Sequence, residues 1–110
     1  MHAPSPLGEF ELTVLMAALR LKNEGTGSAV RDEIERLTER SIARGAVYVT
    51  LDRLEAKKLL SSRRVVGAAE RGGRPRRLYR VEPAGQRAVE RSLGALDRMR
   101  AGLRLARDHS

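Results

Sequence analysis

A helix-periodic stretch, Ala43 to Lys58, runs directly into two β-rich segments that flank a tip of glycine, arginine and proline, and few small folds accept that order. At 100° per residue, Val47, Leu51 and Leu54 fall on one side of the helix with the stem of Lys58. Ala46, Val49, Thr50, Arg53 and Lys57 fall on the other. That second face is narrow, mixes small and basic residues, and suits a DNA major groove. Behind the helix, 59–66 and 76–81 are rich in β-branched and apolar residues, and 67–75 is a breaker cluster that predicts a hairpin.

The charge sits in the same place. Lys57 to Arg80 holds nine basic residues and one acid, Glu70, a surplus that equals the whole chain's net charge of +8. Concentrating the excess in one segment favours a polyanion partner, since such a patch supplies most of the non-specific affinity for nucleic acid. Charge alone does not separate DNA from RNA or an anionic membrane. A helix followed by a basic hairpin is, however, the layout of a winged helix-turn-helix. The fold class expected is therefore mainly α with a small β-hairpin, and the function expected is DNA-binding regulation.

With 110 residues the chain has room for one small domain. It has no Cys, and His2 and His109 lie at opposite ends, so no disulfide, metal site or cofactor is expected. No paired carboxylates in an apolar setting, Ser-His-Asp set or Walker-type glycine loop argues for an enzyme. No apolar run approaches the roughly 20 residues a membrane helix needs. The opening MHAPSPLGEF lacks the basic start and hydrophobic stretch of a secretory signal, so a cytoplasmic location is expected.

Residues 1–6 read as a disordered tail. The helix predicted over 7–21 has two apolar stripes: Leu7, Phe10, Val14, Ala17, Ala18 and Leu21 on one face, Leu12, Leu15, Met16 and Leu19 opposite. Two stripes mean either a central core helix or one stripe meeting the core and the other a second subunit. Asn23 to Ser28 reads as a turn with Ser28 capping the next helix. That helix, over 29–39, carries a single apolar line of Val30, Ile34 and Leu37. Arg40 to Arg44 is the connecting turn, with Ile42 pointing inward. Pro83 suits the first turn of a last helix, expected to reach Arg107 with Val89, Leu93, Leu96, Met99 and Leu103 as its stripe. At about 37 Å, that helix is longer than one small core requires. Together with the two-faced first helix it favours a symmetric dimer.

Three segments carry a resemblance to the PadR family of bacterial transcriptional regulators: LGEFELTVL (Leu7 to Leu15), GAVYVTLDRLEAKKLL (Gly45 to Leu60) and YRVEPAG (Tyr79 to Gly85). The second is similar to the family's Gly-x-x-Tyr-x-x-Leu-x-x-Leu-Glu pattern through Gly45, Tyr48, Leu51, Leu54 and Glu55. The third is similar to Tyr-x-Leu-Thr-x-x-Gly through Tyr79 and Gly85, with Glu82 in place of the family's Thr. The resemblance implies a winged helix-turn-helix over 7–82 and a C-terminal dimerisation helix over 83–107, exchanged across a homodimer. It also implies repression at a palindromic operator, and a single closing helix points to the shorter branch of the family. Shorter-branch members that bind flat aromatic drugs use Trp at the dimer centre. This chain has none, so that role is not carried over and any small-molecule effector is left open.

The expected contacts to double-stranded DNA are Arg44, Gly45, Ala46, Tyr48, Val49, Thr50, Arg53 and Lys57 on the helix, with Arg64, Arg71, Arg74 and Arg76 on the hairpin. Gly45 allows a phosphate to approach free N–H groups, and Tyr48 is balanced between core packing and a phosphate contact. The expected dimer residues are Leu12, Leu15, Met16 and Leu19 on the first helix and Val89, Leu93, Leu96, Met99 and Leu103 on the last. The rival function is a winged-helix module that binds RNA or a protein.

Overall fold

The computed structural model describes residues 7–69 and 75–104, with side chains described over 7–65 and 76–104. The order of elements is α1 (Glu9–Arg20), α2 (Gly27–Thr38), α3 (Arg44–Ala56), β1 (Leu60–Ala69), β2 (Pro75–Val81) and α4 (Pro83–Arg100). The expected tail over 1–6 lies outside the described residues. So do Arg71 and Arg74.

α1 is the central helix of the fold. Val14, Leu15, Ala17 and Ala18 are all buried, and the helix packs against α2, α3, α4 and β2. Residues of both apolar stripes are therefore covered within one chain. This corrects the expectation that Leu12 and Leu15 face a second subunit: they are 8% and 0% exposed. Met16 and Leu19 remain partly buried at the edge of the core. Two opposed stripes suit a helix surrounded by neighbours, and burying a Leu contributes about 1.5–3 kcal/mol.

α2 starts two residues earlier than expected. Thr26, not Ser28, is its N-cap, accepting from the Ala29 N–H at 3.1 Å. Val30 and Ile34 enter the core, whereas Leu37 stays 48% exposed beside Met16 in an apolar groove between α1 and α2. The turn into α3 is held by α2. Arg31 Nε donates to the Ile42 carbonyl at 2.7 Å, and the Ile42 N–H donates to Glu35 Oε2 at 2.7 Å. Ile42 is buried, as expected.

The hairpin is antiparallel and longer than predicted, because the residues around Gly67 and Pro75 extend the strands. Its register pairs Leu60 with Val81, Ser61 with Arg80, Ser62 with Tyr79, Arg63 with Leu78 and Arg64 with Arg77. The α1–α2 turn joins the sheet: the Tyr79 N–H donates to the Gly25 carbonyl and the Val81 N–H to Asn23 Oδ1, both at 2.9 Å. Pro83 is at the start of α4, as expected. The helix ends at Arg100 rather than Arg107, followed by Gly102 with φ +79°. Left-handed backbone at glycine stops a helix readily.

α3 also ends through the left-handed region, but at Lys58, with φ 62°. A side chain there is strained relative to glycine. Lys58→Gly is expected to stabilise the chain by about 0.5–1 kcal/mol, read as a higher midpoint in chemical denaturation.

Candidate nucleic-acid interface

The inner side of α3 carries Val47, Leu51 and Leu54, each 0% exposed. Its outer side presents Gly45, Ala46, Val49, Asp52, Arg53 and Ala56 to solvent. Val49, 56% exposed, stands near the middle of this surface. A Cβ at Gly45 would meet nothing within 4 Å, so the approach to the start of the helix is open.

Four residues expected on that surface are placed elsewhere or engaged. Thr50 is 6% exposed, because the flank of α3 that carries it closes against the body of the domain. Tyr48 is 8% exposed, its ring lying against Gly27 of α2, where an added Cβ would come within 2.6 Å of Cε1. The Arg44 guanidinium sits 6.0 Å from the centre of that ring, within cation–π range. Lys57 is exposed, but its Nζ lies 2.8 Å from Oε2 of the buried Glu11. Arg53 forms no salt bridge among the described residues and is the cation of α3 most available to a ligand.

Glu11 Oε1 also accepts the Gly8 N–H at 3.0 Å, so one carboxylate fastens the start of α1 to the end of α3. Burial alone would raise its pKa. The bond from Lys57, the Gly8 N–H and the nearby charges of Lys57 and Arg53 outweigh that and hold it below 4.5. A depressed carboxyl pKa stabilises the fold above the unfolded value, and that stability is lost as pH falls through the folded one. Glu11→Gln is expected to cost about 1 kcal/mol near neutral pH. Its deficit relative to wild type should shrink in denaturation curves taken progressively below pH 4.5.

The hairpin has two unlike faces. Leu60, Tyr79 and Val81 are buried on the face toward the helices. Ser62 continues that face and donates to Glu55 of α3 at 2.9 Å, and Arg77 Nη1 donates to Ser62 Oγ at 3.3 Å. Alternation along paired strands then puts Arg64 and Arg77 directly opposite one another beside α3. The reverse face carries Arg63, Arg76 and Arg80. Arg76 is therefore corrected to the side away from α3, whereas Arg77, not anticipated, occupies the near side. Counting in twos from buried Tyr79 would have found it.

The faces also differ in neutralisation. On the reverse side Arg63 lies 3.7 Å from Glu24 and Arg80 lies 4.0 Å from Glu82. Arg64 and Arg77 have no carboxylate within salt-bridge range among the described residues. Burial, then the charge of Asp52, pushes the Tyr79 hydroxyl up to about 12, so it stays neutral beneath them.

A three-helix core whose third helix exposes a short, mixed face, followed by a basic hairpin, defines a winged-helix protein. Solved structures agree. A winged-helix DNA-binding protein from STIV superposes with a TM-score of 0.68 at 14% identity, over 91% of this chain and all of the other. A PadR-like transcriptional regulator from Bacillus cereus gives 0.64 at 18% identity, over 82% of each chain. Bordetella bronchiseptica BpsR, described as regulated in DNA binding by 6-hydroxynicotinic acid, gives 0.64 at 21%, over 94% of this chain and 72% of BpsR.

The profile of the Transcriptional regulator PadR-like family matches residues 14–91, and the chain belongs to that family. It is 41% identical over 78 residues to the transcriptional regulator Rv3488 of Mycobacterium tuberculosis, covering 70% of this chain and 67% of that protein. The protein is a DNA-binding transcription regulator. No helix among the described residues is long and apolar enough to cross a membrane.

Proposed function

We propose that the protein is a cytoplasmic homodimeric repressor that reads double-stranded DNA with the exposed face of α3 and grips the backbone with the near face of its hairpin. The observation that carries this reading is the Arg64–Arg77 pair. Like charges directly opposed across two strands destabilise a sheet, and phosphate oxygens beside the pair would relieve that repulsion. Arg53, Val49, Ala46 and Gly45 would face the base edges, with Arg53 donating to guanine and Val49 meeting a thymine methyl. Arg44, at the start of α3, is near enough to the helix N-terminus to follow a phosphate there.

The dimer would form through α4, so that residues 7–82 act as the DNA-binding unit and the last helix joins two copies. Leu93, Leu96, Met99 and Leu103 are 39%, 58%, 75% and 60% exposed, an apolar row that one copy leaves uncovered. Val89 is not part of it, being 5% exposed in the core. Two α3 helices about 34 Å apart would then enter successive major grooves of a palindrome. By analogy with BpsR, a small-molecule effector could act on this surface. The cleft between Leu7, just before α1, Leu12 of α1 and Ala95, Leu96 and Met99 of α4, about 500 Å³, has the size of a small-ligand site.

Arg53→Ala and Arg77→Ala should fail in different ways. Removing Arg53 should flatten sequence preference, with an operator penalty of about 1–3 kcal/mol. Removing Arg77 should weaken all duplexes alike and lower the slope of log affinity against log salt by about one. Equal binding to duplex DNA and to RNA hairpins in salt-titrated shift assays would overturn the proposal.

A further inference from the structure

α3 carries two carboxylates between the DNA-facing row and the hairpin, and they are treated differently. Glu55 accepts the Ser62 hydroxyl at 2.9 Å and so holds the hairpin to the helix. Asp52, one turn earlier, is exposed and has no hydrogen bond or salt bridge among the described residues. Arg64 and Arg77 stand on the neighbouring hairpin face, yet neither comes within salt-bridge distance of it. Asp52 follows Val49 by three residues and precedes Ala56 by four, so it borders them on the hairpin side of the solvent-facing surface, near enough to Tyr79 for its charge to act on that hydroxyl. An unpaired anion on a surface that meets a polyanion is costly unless it meets a hydrogen-bond donor rather than phosphate.

We propose that Asp52 is a specificity-determining residue, accepting a hydrogen bond from the exocyclic amino group of a cytosine in the major groove. The inference rests on the reading that the exposed face of α3 meets base edges. An ionised carboxylate can only accept. Along the major groove, cytosine offers the N4 amino donor with no acceptor on the same base, adenine sets its N6 amino donor beside the N7 acceptor, and guanine N7 and O6 and thymine O4 are acceptors that repel a carboxylate. Arg53, the next residue, has the opposite preference and suits guanine. The adjacent pair would therefore discriminate by both attraction and repulsion: a register that placed Asp52 over guanine, thymine or a phosphate would leave its charge uncompensated.

The test is selection of bound duplexes from a random pool by wild-type protein, Asp52→Asn and Asp52→Ala, with affinities for one non-specific duplex measured across a salt series. The wild type should enrich a cytosine at one fixed position in each half-site. Both variants should lose that preference, on the order of ten-fold, while the other positions keep theirs. Non-specific affinity should rise by a few-fold at low salt as the repulsive charge is removed. Identical base preferences in all three proteins would overturn the proposal. So would a uniform loss at every position together with a lowered unfolding midpoint, which marks Asp52 as structural. Failure of the underlying reading looks different: wild-type protein would bind duplex without enriching any motif, and the inference would fall with it.

Discussion

Gly85→Ala is expected to destabilise the chain by about 2–3 kcal/mol, lowering its thermal midpoint by about 4–8 °C per kcal/mol. Gly85 lies in the first turn of α4, where the helix presses against the end of α3. A Cβ added there would fall 2.2 Å from the Leu59 carbonyl oxygen and 2.8 Å from Val81 Cγ1. The first contact is with backbone, and that carbonyl is already fixed by the Glu82 N–H at 3.0 Å. The carbonyl oxygen cannot turn away as a flexible side-chain end could, so α4 itself must shift. Gly94 in the same helix provides the control. Its added Cβ would meet only the flexible Arg98 guanidinium at 3.4 Å, so Gly94→Ala should stabilise by up to about 1 kcal/mol through helix propensity. Opposite signs for one substitution in one helix, measured by denaturant titration, would confirm that close approach governs Gly85. A destabilisation below about 0.5 kcal/mol for Gly85→Ala would contradict the packing described.

The double substitution Leu96→Glu with Met99→Glu should barely change the stability of the folded chain, because both side chains are mostly solvent-exposed in one copy. Surface changes of this kind usually stay within about 0.5 kcal/mol. Under the proposed dimer, however, the same change places four carboxylates in an apolar seam and should yield monomers. Operator affinity should then fall by about 100-fold or more, since joining two recognition units raises avidity by that order. Sedimentation velocity reads the first effect and fluorescence anisotropy with a two-half-site duplex the second. Unchanged oligomeric state with unchanged affinity would remove α4 from the interface.

The elements were legible because their periods are clear. Val47, Leu51 and Leu54 reach zero exposure on a helix whose 3.6-residue repeat marks them, and the breaker cluster between β-rich runs gave the hairpin. What sequence periodicity could not supply was the width of each buried arc. Thr50 sits at the margin of the α3 surface, and only the closeness of the rest of the domain decides that it is covered. The two stripes of α1 posed the same question. Their hydrophobicity signalled burial on both sides without saying whether the cover is intramolecular, and for Leu12 and Leu15 it is.

Strand assignments failed differently. Arg63, Arg64, Arg76 and Arg77 are alike in composition, and alternation alone sorts them into two faces. Tyr79, the buried aromatic that sets the phase of β2, was identifiable. Applying its phase to the neighbouring arginines selects Arg77 over Arg76. Lys57 shows a further limit: its engagement by Glu11, 46 residues earlier, is a tertiary contact with no local signature.

The central claim is that the outer face of α3 and the near face of the hairpin form one DNA-contacting surface. Photo-crosslinking tests it most directly, with a photoreactive amino acid placed singly at Val49, Arg77, Arg63 or Leu37 and each protein mixed with a selected duplex. The account predicts DNA adducts from positions 49 and 77 and few or none from 63 and 37. Adducts chiefly from 63 or 37, with none from 49, would contradict it.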